Sequence, residues 1–203
     1  MTHVAILIDG EFMKKRLSRR LKRFPDGEAV MGEISRIRSA LGSPALYRVF
    51  YYTANPLTEK VTNPLDGSVV DFARTGSYRR NRRLITSLER LPDVAVRRGE
   101  LVSRGWALRP RVADRLMKGN PKRLNAGDLT PQIDQKGVDM RIGLDIASLA
   151  LKRLVSEIVV VTGDSDIVPA LKFARREGLR VHLDLLGGGG RRELRVHADR
   201  VIS

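Results

Sequence analysis

The sequence predicts an α/β fold in which a mostly parallel sheet is covered on both faces by helices. Two observations carry this. The apolar runs "VAILI" (4–8) and "IVVV" (158–161) show no polar alternation, as strands do when both their faces are buried. Such runs are also separated by segments of helical periodicity, which makes consecutive strands parallel and joined by crossover helices. Ligands in open sheets of this kind bind beyond the carboxyl ends of the strands. Both runs end there in acid: Asp9 after the first, Asp164 and Asp166 after the second.

Each element follows from local pattern. "VAILID" (4–9), rich in branched residues and bounded by Gly10, reads as a buried strand. In "EFMKKRLSRRLKRF" (11–24), Met13, Leu17, Leu21 and Phe24 recur at helical spacing, and Lys14, Lys15, Arg16, Arg19 and Arg20 crowd the other positions. That is an amphipathic basic helix, stopped by Pro25-Asp26-Gly27. A second helix spans 28–41, and "ALYRVFYYTA" (45–54) is the second strand. Residues 55–76 hold Asn-Pro twice and Asp-Gly, and read mostly as loop. A second basic helix, 79–91, carries Arg79, Arg80, Arg82 and Arg83, and "DVAVRRGEL" (93–101) is the third strand.

Residues 102–135 form a less regular basic insertion in what reads as a single domain over 1–203. Within it "ALRPRV" (107–112) suits an extra hairpin strand, and "KGNPKRLNAGDLTP" (118–131) is turn-rich. A helix over 138–154 presents Ile142, Ile146, Leu149 and Ala150. The strand 157–162, the helix 167–177 capped by Gly178, and the strand 180–186 follow. "GGGG" (187–190) is a turn before a short terminal helical segment.

Charge narrows the function. Lys and Arg number 38 against 23 Asp and Glu, a net charge of +15 with a pI near 10.9. Such a surplus attracts polyanions, nucleic acid foremost. The basic helices supply the grip, and neutralising about six phosphates would make affinity fall steeply with salt. An anionic membrane surface is the alternative partner, but the apolar face of the first basic helix suits packing on the sheet, so no membrane partner is expected. No stretch approaches the roughly 20 apolar residues that cross a bilayer. The opening residues lack the flanks of a signal peptide. With no cysteine, disulfides, thiolate metal sites and a cysteine nucleophile are excluded, and a cytoplasmic location fits.

The acids give the chemistry. In an extended chain, side chains two residues apart, as at 164 and 166, point the same way about 6–7 Å apart. Carboxylates about 4 Å apart repel by something like 4 kcal/mol at an effective dielectric of 20. Three or four in one cleft would not all stay ionised without a cation. Oxygen donors without cysteine or clustered histidine suit Mg²⁺ or Mn²⁺ rather than zinc. The bland roles are capping: Asp166 and Ser165 before the helix at 167, and Asp139 at the start of the helix over 138–154. Asp145 interrupts an apolar helix and needs a partner; Lys136 or Arg141 is the candidate. Thr162 and Ser165 have hydroxyls placed to hold a water or a phosphate, or simply to close the turn.

Three blocks, "ILIDG", "KGVDMRIGLDI" and "VVTGDSDIVPAL", stand in that order. Together they resemble the NYN domain, including LabA-like proteins, of the PIN-like nuclease superfamily. The resemblance implies a three-layer α/β/α fold with a central parallel sheet. It also implies cleavage of RNA, expected to be single-stranded, at Mg²⁺ or Mn²⁺ held by Asp9, Asp139, Asp164 and Asp166, with Asp145 supporting. One position departs: the family often has asparagine three residues after the first aspartate, where this chain has Phe12. Phe12 cannot bind a phosphate or a metal-bound water, so an inactive RNA-binding module on the same fold is the alternative. Haloacid-dehalogenase phosphatases share a late "GDS…D", but their amino-terminal "DxD" pair is missing here. The glycine run lacks the Gly-Lys-Ser/Thr of a phosphate loop.

Overall fold

The computed structural model describes residues 3–120 and 123–202. Pro121 and Lys122, inside the turn-rich stretch, lie outside the described residues, as do Met1, Thr2 and Ser203. Strand β1 (His3–Asp9) leads into α1 (Gly10–Leu21) and α2 (Gly27–Ala40), then β2 (Ala45–Ala54). A short hairpin of β3 (Lys60–Thr62) and β4 (Val69–Asp71) precedes α3 (Gly76–Glu89) and β5 (Val94–Leu108). Next come α4 (Pro110–Met117), β6 (Leu129–Lys136) and α5 (Val138–Leu151). The chain ends with β7 (Glu157–Val161), α6 (Val168–Arg176), β8 (Arg180–Asp184), α7 (Arg192–Val196) and β9 (Arg200–Val201).

The main sheet has seven strands in the order β6-β5-β2-β1-β7-β8-β9. Every pairing is parallel except β5 with β6. β1 sits in the middle, and Val4 through Ile8 are fully buried. Alternation along β1 divides its side chains between two layers. Ala5 and Leu7 face a core built with Ile142, Ile146 and Leu149 of α5 and Leu171 of α6. Val4, Ile6 and Ile8 face the opposite core, with Met13 and Leu17 of α1, Ile34 and Ile37 of α2, and Leu84 and Leu88 of α3. Each large side chain buried in these layers contributes about 1.5–3 kcal/mol. The result is the three-layer α/β/α arrangement, with α1's basic positions left outside because its apolar stripe faces the sheet.

Two regions differ from expectation. The segment 55–76 is not only loop: it contains the β3–β4 hairpin, pinned where the Trp106 indole Nε1–H donates to the Thr62 carbonyl at 2.7 Å. In 102–135, β5 runs on to Leu108, and its antiparallel partner is β6 at 129–136, not 107–112. Pro110 instead opens α4, since proline fits a first helical turn, where its missing N–H is not needed. β6 escapes pattern reading because it is an edge strand, mostly polar, with Pro131 inside it. Gly178 does follow α6 with φ of +90°, the left-handed turn that ends a helix.

Candidate active site

The carboxyl edge of the sheet places the acids. β1 and β7 are parallel neighbours with Ile8 opposite Val161, so Asp9 and Thr162 emerge side by side. Asp9 caps α1: its Oδ1 accepts the N–H groups of Glu11 at 3.0 Å and Phe12 at 3.1 Å. Its Oδ2 accepts the Thr162 hydroxyl at 3.3 Å. Thr162, only 2 % exposed, also accepts the Asp164 N–H at 3.1 Å. One buried hydroxyl therefore ties the acidic ends of two strands together. Asp164 Oδ1 in turn accepts the Asp166 N–H at 3.0 Å. Asp164, rather than Asp166, is thus the cap of the single tight turn that leads into α6.

Asp139 lies exposed in the first turn of α5 and completes the group electrostatically. Desolvation, and after it the negative charges of Asp164 and Asp166, raise its carboxyl above the ordinary aspartate range. Asp9 is raised too, by burial first and by the charge of Asp139, against the lowering pull of its hydrogen bonds from Phe12, Thr162 and Glu11. The four aspartates singled out in the sequence thus share one neighbourhood. Among the described residues no three acidic or histidine side chains enclose a metal position by themselves. Mg²⁺ keeps several waters and is commonly held by one or two carboxylates together with substrate phosphates, so a site for it need not be closed by protein groups alone.

Phe12, the departure from the family pattern, has a structural role. A Cβ on Gly163 would lie 2.6 Å from its ring, so the ring covers the turn that carries Asp164. Gly10 is similarly required, since a Cβ there would meet the Tyr52 carbonyl at 2.5 Å.

Asp145 does not join the four. Its Oδ2 accepts the Tyr52 hydroxyl at 2.8 Å and Arg97 Nε at 3.1 Å. Its partner is therefore Arg97 of β5, not Lys136 or Arg141; Arg141 donates to the Gly137 carbonyl at 2.8 Å. Lys136 is exposed at the end of β6 opposite Glu100. The Ser165 hydroxyl accepts Arg191 Nη1 at 2.7 Å.

The basic residues divide. Lys14, Lys15 and Arg19 line a cleft of about 560 Å³ beside the acidic edge. Glu11 stands between cleft and acids, and Lys14 and Lys15 hold its carboxyl below the usual range despite its burial. Arg16 and Arg20 turn away. Arg16 Nη2 donates to the Leu186 carbonyl at 3.1 Å, and Arg20 pairs with Glu33. On α3, Arg80 lies over the Phe24 ring at 5.7 Å and Arg79 donates to the Arg74 carbonyl at 3.3 Å. Arg82 and Arg83 border a separate shallow surface. The residues of α3 that do reach the cleft are Ser77, Tyr78 and Asn81. Sequence reasoning missed Ser77 and Asn81, along with Thr53 and Phe72, because no local spacing links them; only the folded sheet brings them together.

The NYN domain model matches residues 3–203. A curated relative, the uncharacterized protein y4oD of Sinorhizobium fredii, is 41 % identical over 61 residues. That match covers 30 % of this chain and 28 % of the relative, so the chain spans less than a third of that protein. A crystal structure of a protein of unknown function from Vibrio parahaemolyticus superposes with a TM-score of 0.50 at 13 % identity, covering 98 % of this chain and 91 % of the other. At that identity the likeness concerns the fold.

Proposed function

Because the chain belongs to the NYN domain family, a PIN-like nuclease family, we propose that it is a Mg²⁺- or Mn²⁺-dependent ribonuclease acting on single-stranded RNA in the cytoplasm. The same three sequence blocks support a LabA-like affiliation within that family. The observation that carries the reading is the gathering of acids at the carboxyl edge: Thr162 donates to Asp9 at the end of β1 and accepts the Asp164 N–H beyond β7, and the charges of Asp164 and Asp166 bear on Asp139, and that of Asp139 on Asp9. These four carboxylates would hold the cation. When bound, it supplies Lewis acidity at the phosphate and acidifies a water.

The chain's own groups do the rest. Thr162 and the α1 amide hydrogens fix the Asp9 carboxylate in one orientation. Asp139 and Asp166 would bind a second ion or orient the attacking water through hydrogen bonds. Lys14, Lys15 and Arg19 at the cleft rim hold the flanking phosphates. Phe12, which offers no polar group toward a phosphate, favours the second reading, an RNA-binding module without turnover.

Incubating labelled single-stranded RNA with Mn²⁺ separates the two. Wild type is expected to cleave, EDTA to stop cleavage, and Asp164→Asn to slow it by about a hundredfold or more. Retarded migration with no cleavage by either protein would overturn the ribonuclease reading and support the binder.

A further inference from the structure

We propose that the cleft beside the acidic edge is a base-binding subsite, taking one unstacked nucleobase of the RNA strand. The proposal rests on the nuclease reading for its choice of RNA, and its observations are separate from the metal site. At about 560 Å³ the cleft falls within the roughly 300–1,000 Å³ typical of sites for small organic ligands. Its walls are apolar and partly aromatic: Phe72 and Tyr78, both half-buried, face the β5–β6 hairpin, which contributes Ile133. At its back stands Thr53, 4 % exposed, whose hydroxyl makes no hydrogen bond among the described residues.

The Thr53 oxygen keeps contact with the open cleft, where water or the polar edge of a ligand can pair with it. Aromatic and apolar side chains, the Thr53 hydroxyl and the amides of Asn81 and Gln135, with Lys15 and Arg19 in the same lining, suit a base carrying its phosphate. A nucleobase offers a ring face to the aromatics and a hydrogen-bonding edge to Thr53, and its phosphate stays outside, near Lys15 and Arg19. A simple polyanion would use only the mouth. Glu11 lines the cleft and its amide donates to Asp9, so the cleft opens off the turn that Asp9 caps.

The test is fluorescence anisotropy in EDTA, where no cleavage intrudes, with two six-unit probes of equal charge: hexauridylate and a ribose-phosphate strand lacking bases. Wild type should bind hexauridylate about tenfold more tightly, the size of one base–aromatic stack. Tyr78→Ala should erase that difference and leave binding of the baseless strand and its salt dependence unchanged; Tyr78→Phe should restore it. If Tyr78→Ala melts early, Ile133→Ala on the exposed β6 edge removes the opposite wall instead and should erase the same difference. Equal affinity of wild type for the two probes would overturn the proposal, as would a loss on Tyr78→Ala shared equally by both. Absence of cleavage with Mn²⁺ while base-dependent binding persists would overturn the nuclease reading and leave the subsite standing.

Discussion

Asp139 and Asp9 hold their protons more tightly in the folded chain than aspartates do when unfolded. A raised folded-state value means that their contribution favours folding at low pH and is lost as pH rises through that value. Above it, in metal-free protein, the four charges repel at a standing cost to stability. Charges a few ångströms apart beside water interact by roughly 1 kcal/mol, and 1 kcal/mol moves the melting temperature of a chain this size by about 2–4 °C. Asp139→Asn should therefore melt up to about 2–4 °C higher than wild type at pH 7 in EDTA, and no higher at pH 3, as read by calorimetry. Millimolar Mn²⁺ should narrow that gap by stabilising wild type. The positions of the acids were legible in the sequence because Asp9 ends a strand, Asp139 lies in the first turn of a helix, and Asp164 and Asp166 lie in the short link between β7 and α6. The partner of Asp145 was not, since Arg97 lies 48 residues away and meets it only across the folded sheet.

Among elements, α5 carries two aspartates with different duties. Asp139 meets the other acids, whereas Asp145 fastens the helix to β2 and β5 through Tyr52 and Arg97. Asp145→Asn should lower stability by about 0.5–1.5 kcal/mol, as for a partly exposed ion pair with one additional hydrogen bond. Cleavage should stay within about threefold of wild type; urea unfolding and a cleavage assay check the two halves. Strands β1, β2, β7 and β8 could be read directly because burial on both faces forces continuous apolar runs. The β3–β4 hairpin and β6 could not. Three-residue strands leave too little alternation to see, and an edge strand needs only half an apolar pattern. The pairing that defines β6 comes from β5, far from its own sequence window.

For the whole molecule, a charge of +15 overstates the grip. Arg16 and Arg20 are committed away from the cleft, and the arginines of α3 border other surfaces, whereas Lys14 and Lys15, though paired with Glu11, line the cleft with Arg19. About three phosphates, rather than six, should be neutralised. The plot of log affinity against log salt for single-stranded RNA should then have a slope near roughly −2, whereas six contacts would give about −4. Anisotropy titrations in KCl decide between them, and the steeper value would bring the α3 arginines into the binding surface. Trp106 adds a practical consequence. It is the sole tryptophan in the chain, and its indole hydrogen is committed to the carbonyl of Thr62. Its intrinsic emission is therefore an unlabelled optical gauge of whether the small hairpin stays seated on the long ribbon beneath it.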